Sequence, residues 1–247
     1  MSGTAEHIVT GLAEKLGYSI IPTWRLESRE LAQHLAKVFK HYAITTVFDV
    51  GANVGQYHDF LRQQVGFCGQ IYSFEPQPHL AALLHKKQLH DPAWEIHNIG
   101  LGSCNGELEL NVMANDTFSS FRQPELDVSP KFCASNTVLE SVKVPVHRFD
   151  DFFLKDYFEG QSCYLKIDTQ GFDIEVLRGA PELLKNLKAL QFELAVQHLY
   201  KDLPSYRDML AFVEGMGFNL SGLFPISLDE HLCAVEFDCI MIRNSCK

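Results

Sequence analysis

The chain has 247 residues, of which 46% are hydrophobic and 21% charged, and its formal net charge is −10. This composition is typical of one globular α/β domain that buries a substantial core. Nucleic-acid-binding proteins usually carry a dense basic stripe over their phosphate contacts. The sequence has no such Lys/Arg block, so we expect no nucleic-acid partner.

The N-terminal stretch and the cysteines bear on localisation. The first twenty residues carry Glu6, Glu14 and Lys15 within their apolar stretch, which fits neither a cleavable signal peptide nor a membrane span. The seven cysteines are scattered, without CxxC or zinc-ligand spacing, as is typical of free thiols in a reducing compartment. We therefore expect a cytoplasmic protein with no membrane partner.

Residues 1–43 are predicted to form an N-terminal helical extension, and residues 44–247 the main domain. Ser28 is the candidate N-cap of a helix in the extension. Apolar residues at helical spacing follow it: Leu31, Leu35, Val38, Phe39 and Tyr42.

Beyond Thr45, short apolar strands alternate with helices of about ten residues. Strands are predicted at 47–50, 70–74 and 94–98, and a helix is predicted between each pair. Strands separated in this way indicate βαβ units and a parallel sheet. The sequence therefore predicts a Rossmann-like α/β fold, in which a mostly parallel twisted sheet carries helices on both faces.

The middle of the chain has a different pattern. Residues 108–112 and 142–146 alternate apolar and polar side chains, as half-exposed strands do. Between them, residues 113–136 are rich in Ser, Asn, Asp and Pro and have no clear period. A segment of this kind is either disordered or a functional lid.

Regular alternation resumes in the last third of the chain. Strands are predicted at 164–167, 189–192 and 234–242, with helices at 171–178 and 205–216. Gly217 is the expected residue after the end of the second helix. The last strand would complete the sheet.

The loop between the first strand and its helix reads Asp49-Val50-Gly51-Ala52-Asn53-Val54-Gly55-Gln56. The dinucleotide fingerprint requires Gly at its first, third and sixth positions, but Asn53 and Gln56 occupy the later two. NAD and FAD are therefore disfavoured. A carboxylate at Asp49 would face the ammonium of a methionyl group and would repel a pyrophosphate.

Glu75 follows the second strand. In a doubly wound sheet this strand end lies beside the first, where a carboxylate can accept both hydroxyls of a ribose. Together with the loop, Glu75 indicates S-adenosylmethionine (SAM) as the cofactor. The alternative is that Glu75 is a surface acid and that Gly51 and Gly55 are ordinary turn residues.

Three stretches of the chain resemble the FkbM-type methyltransferases. They are 49–56, Phe74-Glu75-Pro76, and Leu165-Lys166-Ile167-Asp168-Thr169-Gln170-Gly171-Phe172-Asp173 with Val176-Leu177-Arg178-Gly179-Ala180. The resemblance implies a SAM-dependent enzyme, most often one that methylates a hydroxyl on a sugar or secondary metabolite. It also implies that the cofactor is held by Gly51, Asn53, Gly55 and Glu75.

Asp168 and Glu193 each end a central strand, so both should point into the crevice where open α/β sheets bind ligands. Either could act as the general base that removes the acceptor's proton. Alternatively, the two could hold a Mg²⁺ ion that orients a diol. His198 could join either arrangement, and Gln170 would shape the substrate site. The remaining possibility is structural: Asp168 caps a turn and Glu193 pairs with a basic side chain.

Ser119 and Ser120 lie in the irregular middle segment, near Asp116. Hydroxyls on a loop of this kind could line a substrate pocket, and the resemblance implies that the loop lies over the cofactor. The alternative is an ordinary solvated loop.

These observations favour methylation of a hydroxyl on a small molecule or glycan. Methylation of a protein or RNA is a second hypothesis, although the acidic charge and the missing Asn/Asp-Pro-Pro-aromatic motif count against RNA. A nucleotide-sugar oxidoreductase or a non-catalytic nucleotide-binding module is a third. The glycine spacing opposes the oxidoreductase, and the polar strand ends oppose the binding module.

Overall fold

The computed structural model describes residues 28–125, 137–153, 160–197, 200–201 and 203–244. The helices are α1 (Arg29–His41), α2 (Gln56–Phe60), α3 (Pro78–Gln88), α4 (Phe149–Phe152), α5 (Asp173–Arg178), α6 (Pro181–Asn186) and α7 (Tyr206–Gly215). A π-helical turn at Leu61–Val65 continues α2. The strands are β1 (Thr46–Val50), β2 (Gln70–Phe74), β3 (Trp94–His97), β4 (Gly100–Leu101), β5 (Gly106–Met113), β6 (Val138–His147), β7 (Cys163–Ile167), β8 (Leu187–Ala195), β9 (Phe218–Leu228) and β10 (Ala234–Arg243).

Seven strands form the central sheet, in the order β3-β2-β1-β7-β8-β10-β9. The first five of these are parallel, whereas β10 runs antiparallel to both β8 and β9. The chain runs outward from β1 through β2 to β3, and then crosses to β7 on the other side of β1. This reversal between β1 and β7 creates a crevice at the carboxyl ends of the strands, where ligands of such sheets bind. The mostly parallel α/β fold predicted from the sequence is confirmed.

The two faces of the central sheet are covered by different helices. On one face, Phe48 of β1 packs in a buried cluster with Val176 of α5 and Val213 of α7. On the other face, Val47 packs in a cluster that contains residues of α1, α2 and α3. Successive strand residues point to opposite faces, which explains why adjacent residues of β1 belong to different clusters.

Helix α1 contributes its apolar face to the core. Its buried side chains are Leu31, Ala32, Leu35, Val38 and Phe39. The Phe39 ring meets that of Tyr164 on β7 edge-on, with centroids 4.8 Å apart. Ser28 occupies the predicted N-cap position, but its hydroxyl donates to Gln64 Oε1 and makes no cap bond to the helix. The helix that the sequence assigned to an extension therefore packs directly against the central sheet.

Strand β9 was not predicted from the sequence. It lies at one edge of the sheet and pairs with β10 through a register that shifts in three places. Gly222 and Pro225 interrupt its apolar alternation, and proline is tolerated in sheets mainly on edge strands. The predicted final strand is β10, which lies between β8 and β9.

The middle of the chain forms a small second sheet, in the order β4-β6-β5. Both long strands exceed their predicted lengths. After β5, a 3₁₀ turn covers Asp116–Phe118, and the backbone of Ser120 then pairs with that of Asn111. The part of the predicted lid at residues 126–136 lies outside the described residues.

None of the helices within the described ranges has the length and apolar character needed to cross a membrane.

Candidate active site

A cavity of about 250 Å³ lies in the crevice at the carboxyl ends of the central strands. One wall is the loop after β1 and the end of β2, with Gly51, Asn53 and Glu75. The opposite wall is formed by Asp168 and Glu193, at the ends of β7 and β8. Residues 99–101, residues 116–119 and Phe121 cover it between these walls. The cavity is thus at the strand reversal predicted to bind ligands.

The backbone of the loop after β1 requires glycine where it meets β7. Gly51 has φ +85°, and a Cβ at this position would overlap the carbonyl oxygen of Asp168. Its amide donates to the carbonyl of Phe74 at 3.0 Å, which fixes the loop to the end of β2. Gly55 also has φ +85°, but it packs between Leu84 and Trp94 and does not line the cavity. Gly51 therefore shapes the cavity, whereas Gly55 positions the start of α2.

Glu75 connects the loop to the end of β2. Its Oε2 accepts from the Asn53 amide at 2.8 Å, and its Oε1 accepts from the Gln77 amide at 2.9 Å. Burial raises the pKa of Glu75 from 4.5 to about 7, although the two backbone hydrogen bonds lower it. Each carboxylate oxygen has a second lone pair. Glu75 can therefore accept further hydrogen bonds from a ligand in the cavity.

Asp49 points away from the cavity. It pairs with Lys166 and Ser73 across β7 and β2, and all three side chains lie on the face beneath α2. Asp49 is fully buried, with Oδ1 3.2 Å from Lys166 Nζ and Oδ2 3.1 Å from the Ser73 hydroxyl. The sequence analysis expected this carboxylate to face a ligand's ammonium, but a strand residue at this position points to the covered face of the sheet. The structure does not bring Asp49 to the cavity.

Lys166 contacts both walls of the cavity, at Gly51 on one side and at Asp168 on the other. Its ammonium lies 3.2 Å from the Gly51 carbonyl oxygen and 3.3 Å from Asp168 Oδ2. Burial alone would lower the pKa of Lys166, but the neighbouring carboxylates, led by Asp168 and Asp49, raise it above its usual value. Lys166 is therefore held in its charged form, with its ammonium close to both aspartates.

Gln170 organises the wall that contains Asp168 and Glu193. It adopts the left-handed conformation, with φ +52°. Its Nε2 donates to Asp168 Oδ1 at 3.0 Å and to Glu193 Oε2 at 2.7 Å. Its Oε1 accepts from the Tyr200 hydroxyl at 3.0 Å. The amide thus fixes both carboxylates through one side chain.

Glu193 and Asp168 differ in their electrostatic surroundings. Burial and the negative charges of Asp168 and Glu236 raise the pKa of Glu193 well above its usual value. Glu193 therefore retains its proton more readily than a solvated carboxyl group. Asp168 instead has the Lys166 ammonium beside it.

The arrangement gives no support to the alternative in which Asp168 and Glu193 hold a Mg²⁺ ion. The Gln170 amide nitrogen, which is a hydrogen-bond donor, lies between Asp168 and Glu193, where a shared cation would need acceptor ligands. No group of three metal-ligating side chains occurs among the described residues. His198, the third predicted catalytic residue, lies outside the described residues.

Comparison with known families identifies the chain. The family model described as the methyltransferase FkbM domain matches residues 49–220. The chain belongs to this family. No curated protein sequence matches it significantly.

Solved structures that resemble this FkbM methyltransferase have low sequence identity to it. An rRNA methylase from Streptococcus thermophilus is 12% identical, with a TM-score of 0.48 over 91% of this chain and 99% of that chain. A magnesium protoporphyrin IX methyltransferase from Synechocystis PCC 6803, solved with bound SAM, is 10% identical, with a TM-score of 0.45 over 97% of each chain.

The two predicted substrate serines of the FkbM methyltransferase have different environments. Ser119 lines the cavity, and its hydroxyl accepts from the Met113 amide at 3.2 Å. Ser120 is buried, and its hydroxyl donates to the Gln170 carbonyl at 2.7 Å. Ser120 therefore attaches the covering segment to the turn after β7, and only Ser119 lies where it could meet a substrate.

The structure gathers most, but not all, of the predicted site residues around the cavity. Those that line it are Gly51, Asn53, Glu75, Ser119, Asp168, Gln170 and Glu193. The sequence analysis missed Lys166, Tyr200 and Glu236, of which Glu236 lines the cavity. A lysine within the apolar run of β7 was the available signal for Lys166. No local pattern marks Tyr200 or Glu236, because they reach the site through tertiary packing.

Proposed function

We propose that this FkbM methyltransferase transfers the methyl group of SAM to a hydroxyl of a small-molecule or glycan acceptor. The observation that supports this proposal is one continuous cavity, with Gly51 and Glu75 on one wall and Asp168 and Glu193 on the other. The cavity thus has one wall suited to a nucleoside and another suited to proton transfer.

The charge of the lining fits SAM better than a dinucleotide. Among the described lining residues, the ionisable side chains are all carboxylic acids: Glu75, Asp116, Asp168, Glu193 and Glu236. A pyrophosphate would meet repulsion in such a cavity, whereas a sulfonium and an ammonium would be attracted. Glu75 would accept from the ribose hydroxyls, and the backbone of Gly51 and Asn53 would lie along the methionyl part. The residues present therefore fit SAM.

Asp168 is the residue best placed to take the acceptor's proton. When bound, SAM supplies a methyl group whose bonding electron pair stays with sulfur, so the acceptor oxygen loses one proton as it gains the methyl. The Lys166 ammonium lies 3.3 Å from Asp168 Oδ2, and the Gln170 amide donates to Asp168 Oδ1 at 3.0 Å. Burial and the charges of Asp168 and Glu236 raise the pKa of Glu193, so this carboxyl gives up its proton less readily than an ordinary glutamic acid, and we assign the role of base to Asp168.

The proposal is tested first by binding and then by turnover. Calorimetry should detect SAM and its demethylated product, S-adenosylhomocysteine (SAH), but not NAD. In a labelled-methyl screen of hydroxylated acceptors, Asp168→Asn should lower kcat by about 10²–10⁴-fold, because a general base contributes that much. SAM affinity should change little, since the base acts mainly in the transition state.

Asp151→Asn is the matched control, because Asp151 is an exposed carboxylate on α4 that does not line the cavity. It should retain near-parental turnover. NAD binding in place of SAM would overturn the assignment of the cofactor. Full turnover by Asp168→Asn would show that another group removes the proton. A chelator should have no effect on either protein.

A further inference from the structure

A second, smaller cavity adjoins the first on the acceptor side. Its volume is about 60 Å³, and it shares Gln170, Glu193 and Glu236 with the larger cavity. These three side chains stand at the junction. A ligand that presents a hydroxyl to Asp168 could therefore extend past Gln170 into the second cavity.

The walls of the second cavity are mainly apolar. They are formed by Ile174 of α5, Leu194 of β8, Leu203 and Pro204 before α7, and Tyr206 and Met209 of α7. Burial of an alkyl group against such walls is favourable in proportion to the apolar area removed from water.

Two polar groups at the edge of this cavity, the Tyr200 hydroxyl and the Asp173 carboxylate, already have partners within the protein. The Tyr200 hydroxyl shares its proton between the Phe118 carbonyl at 2.7 Å and Gln170 Oε1 at 3.0 Å, and Asp173 Oδ1 accepts from the Thr169 hydroxyl at 2.6 Å. Hydroxyls of a sugar ring that faced the apolar side chains of Ile174, Leu203 and Met209 would have no partners there, which costs free energy. The lining thus discriminates against polyols.

We propose that the second cavity binds a short alkyl group of the acceptor, so that the methylated hydroxyl belongs to a molecule with an apolar substituent nearby. This proposal rests on the proposed function and narrows its acceptor class. The volume of the second cavity limits the size of this group. The cavity measures about 60 Å³, whereas a cavity that binds benzene measures about 150 Å³. A branched alkyl group fits the smaller volume better than a whole aromatic ring does.

The test uses the SAH-loaded protein and two simple probes, isobutanol and glycerol, observed by saturation-transfer NMR. Isobutanol should receive saturation from the protein, and glycerol should not. Leu203→Trp should abolish the isobutanol signal, because the indole fills the second cavity. Leu220→Trp is the control, since Leu220 is an exposed leucine on the edge strand β9, and it should keep the signal. Both variants should bind SAH as the parent does.

The outcomes separate the two proposals. Absence of SAH binding to the parent overturns the proposed function, and this inference with it. SAH binding together with an isobutanol signal that persists in Leu203→Trp, or with a stronger glycerol signal, overturns the inference alone. If Leu203→Trp does not fold, Ile174→Phe fills the same cavity from α5 and carries the same expectation.

Discussion

The two walls of the main cavity are built differently. On the cofactor wall, backbone geometry defines the site: Gly51 and Asn53 have positive φ, and the Glu75 carboxylate accepts from two backbone amides. On the acceptor wall, side chains bond to side chains, as Gln170 does to Asp168 and Glu193. The geometry of the cofactor wall therefore depends on backbone conformation, whereas that of the acceptor wall depends on interactions between buried polar and charged side chains.

We expect the largest loss of stability when Lys166, the cation beside Asp49 and Asp168, is removed. Lys166→Met leaves the fully buried Asp49 without its ion-pair partner. Such a loss costs about 3–5 kcal/mol in the free energy of unfolding, which denaturant titration measures. Adding Asp49→Asn should recover part of the loss, because the uncompensated charge is then gone.

Lys185→Met is the matched control for this effect. Lys185 Nζ lies 2.7 Å from Glu182 Oε1, but both side chains are exposed on α6. An exposed pair contributes about 0.2–1 kcal/mol. Equal losses of stability in the two methionine variants would contradict the importance of the buried charge balance.

We expect the cofactor wall to be disrupted by a substitution that its backbone conformation cannot accommodate. Gly51→Ala places a Cβ against the Asp168 carbonyl in a left-handed conformation. Gly66→Ala imposes the same conformational strain at φ +75°, but its Cβ would meet no atom within 4 Å. The overlap should cost Gly51→Ala about 1–3 kcal/mol more than Gly66→Ala, measured by thermal unfolding. SAH affinity should fall in Gly51→Ala alone. If both alanine variants lost the same stability, the close contact with β7 would be irrelevant.

A smaller effect, the pH dependence of SAH affinity, should test whether Glu75 binds the ribose. Its pKa of about 7 means that the carboxyl is largely protonated at pH 6 and ionised at pH 8. Ribose hydroxyls donate to the ionised form, so SAH affinity should rise about tenfold from pH 6 to pH 8, or about 1.4 kcal/mol. Calorimetry at several pH values measures the slope. Glu75→Gln should remove most of it, whereas Glu95→Gln, at an exposed position on β3, should leave it intact.

The raised pKa of Glu75 also affects the free energy of unfolding of the protein without ligand. The pKa of Glu75 is higher in the folded protein than its ordinary value of 4.5. The folded state then binds more protons than the unfolded state between pH 4.5 and about 7, so this group's contribution to stability decreases as the pH rises through that window. Bound SAH should offset the decrease by favouring the ionised form.

The sequence predicted those parts of the fold that are encoded locally. The parallel strands β1, β2, β3, β7 and β8 are short buried runs separated by helices, and they were found near their expected positions. Strand β9 was missed because an exposed edge strand containing Gly222 and Pro225 lacks a regular alternation. Its existence depends on pairing with β10.

The distinction between local and tertiary information also explains which site residues were predicted correctly. Gly51 and Glu75 were predicted because the ends of neighbouring parallel strands meet at one edge of a sheet. Asp49 was expected at the ligand because it adjoins this edge, but its side chain points to the opposite face and pairs with Lys166. That pairing depends on the register of β1 against β7, which aligns Asp49 with Lys166. Residues far apart in the sequence set the register, so no local pattern reveals it.

The position of β10 between β8 and β9 affects how the chain folds during synthesis. The ribosome makes β8 and β9 before β10, so neither strand has this partner until residues 234–243 have emerged. Unpaired strand edges are templates for association between chains. During that interval the nascent chain therefore exposes the β8 edge, and a chaperone that covers this edge would protect the chain from aggregation.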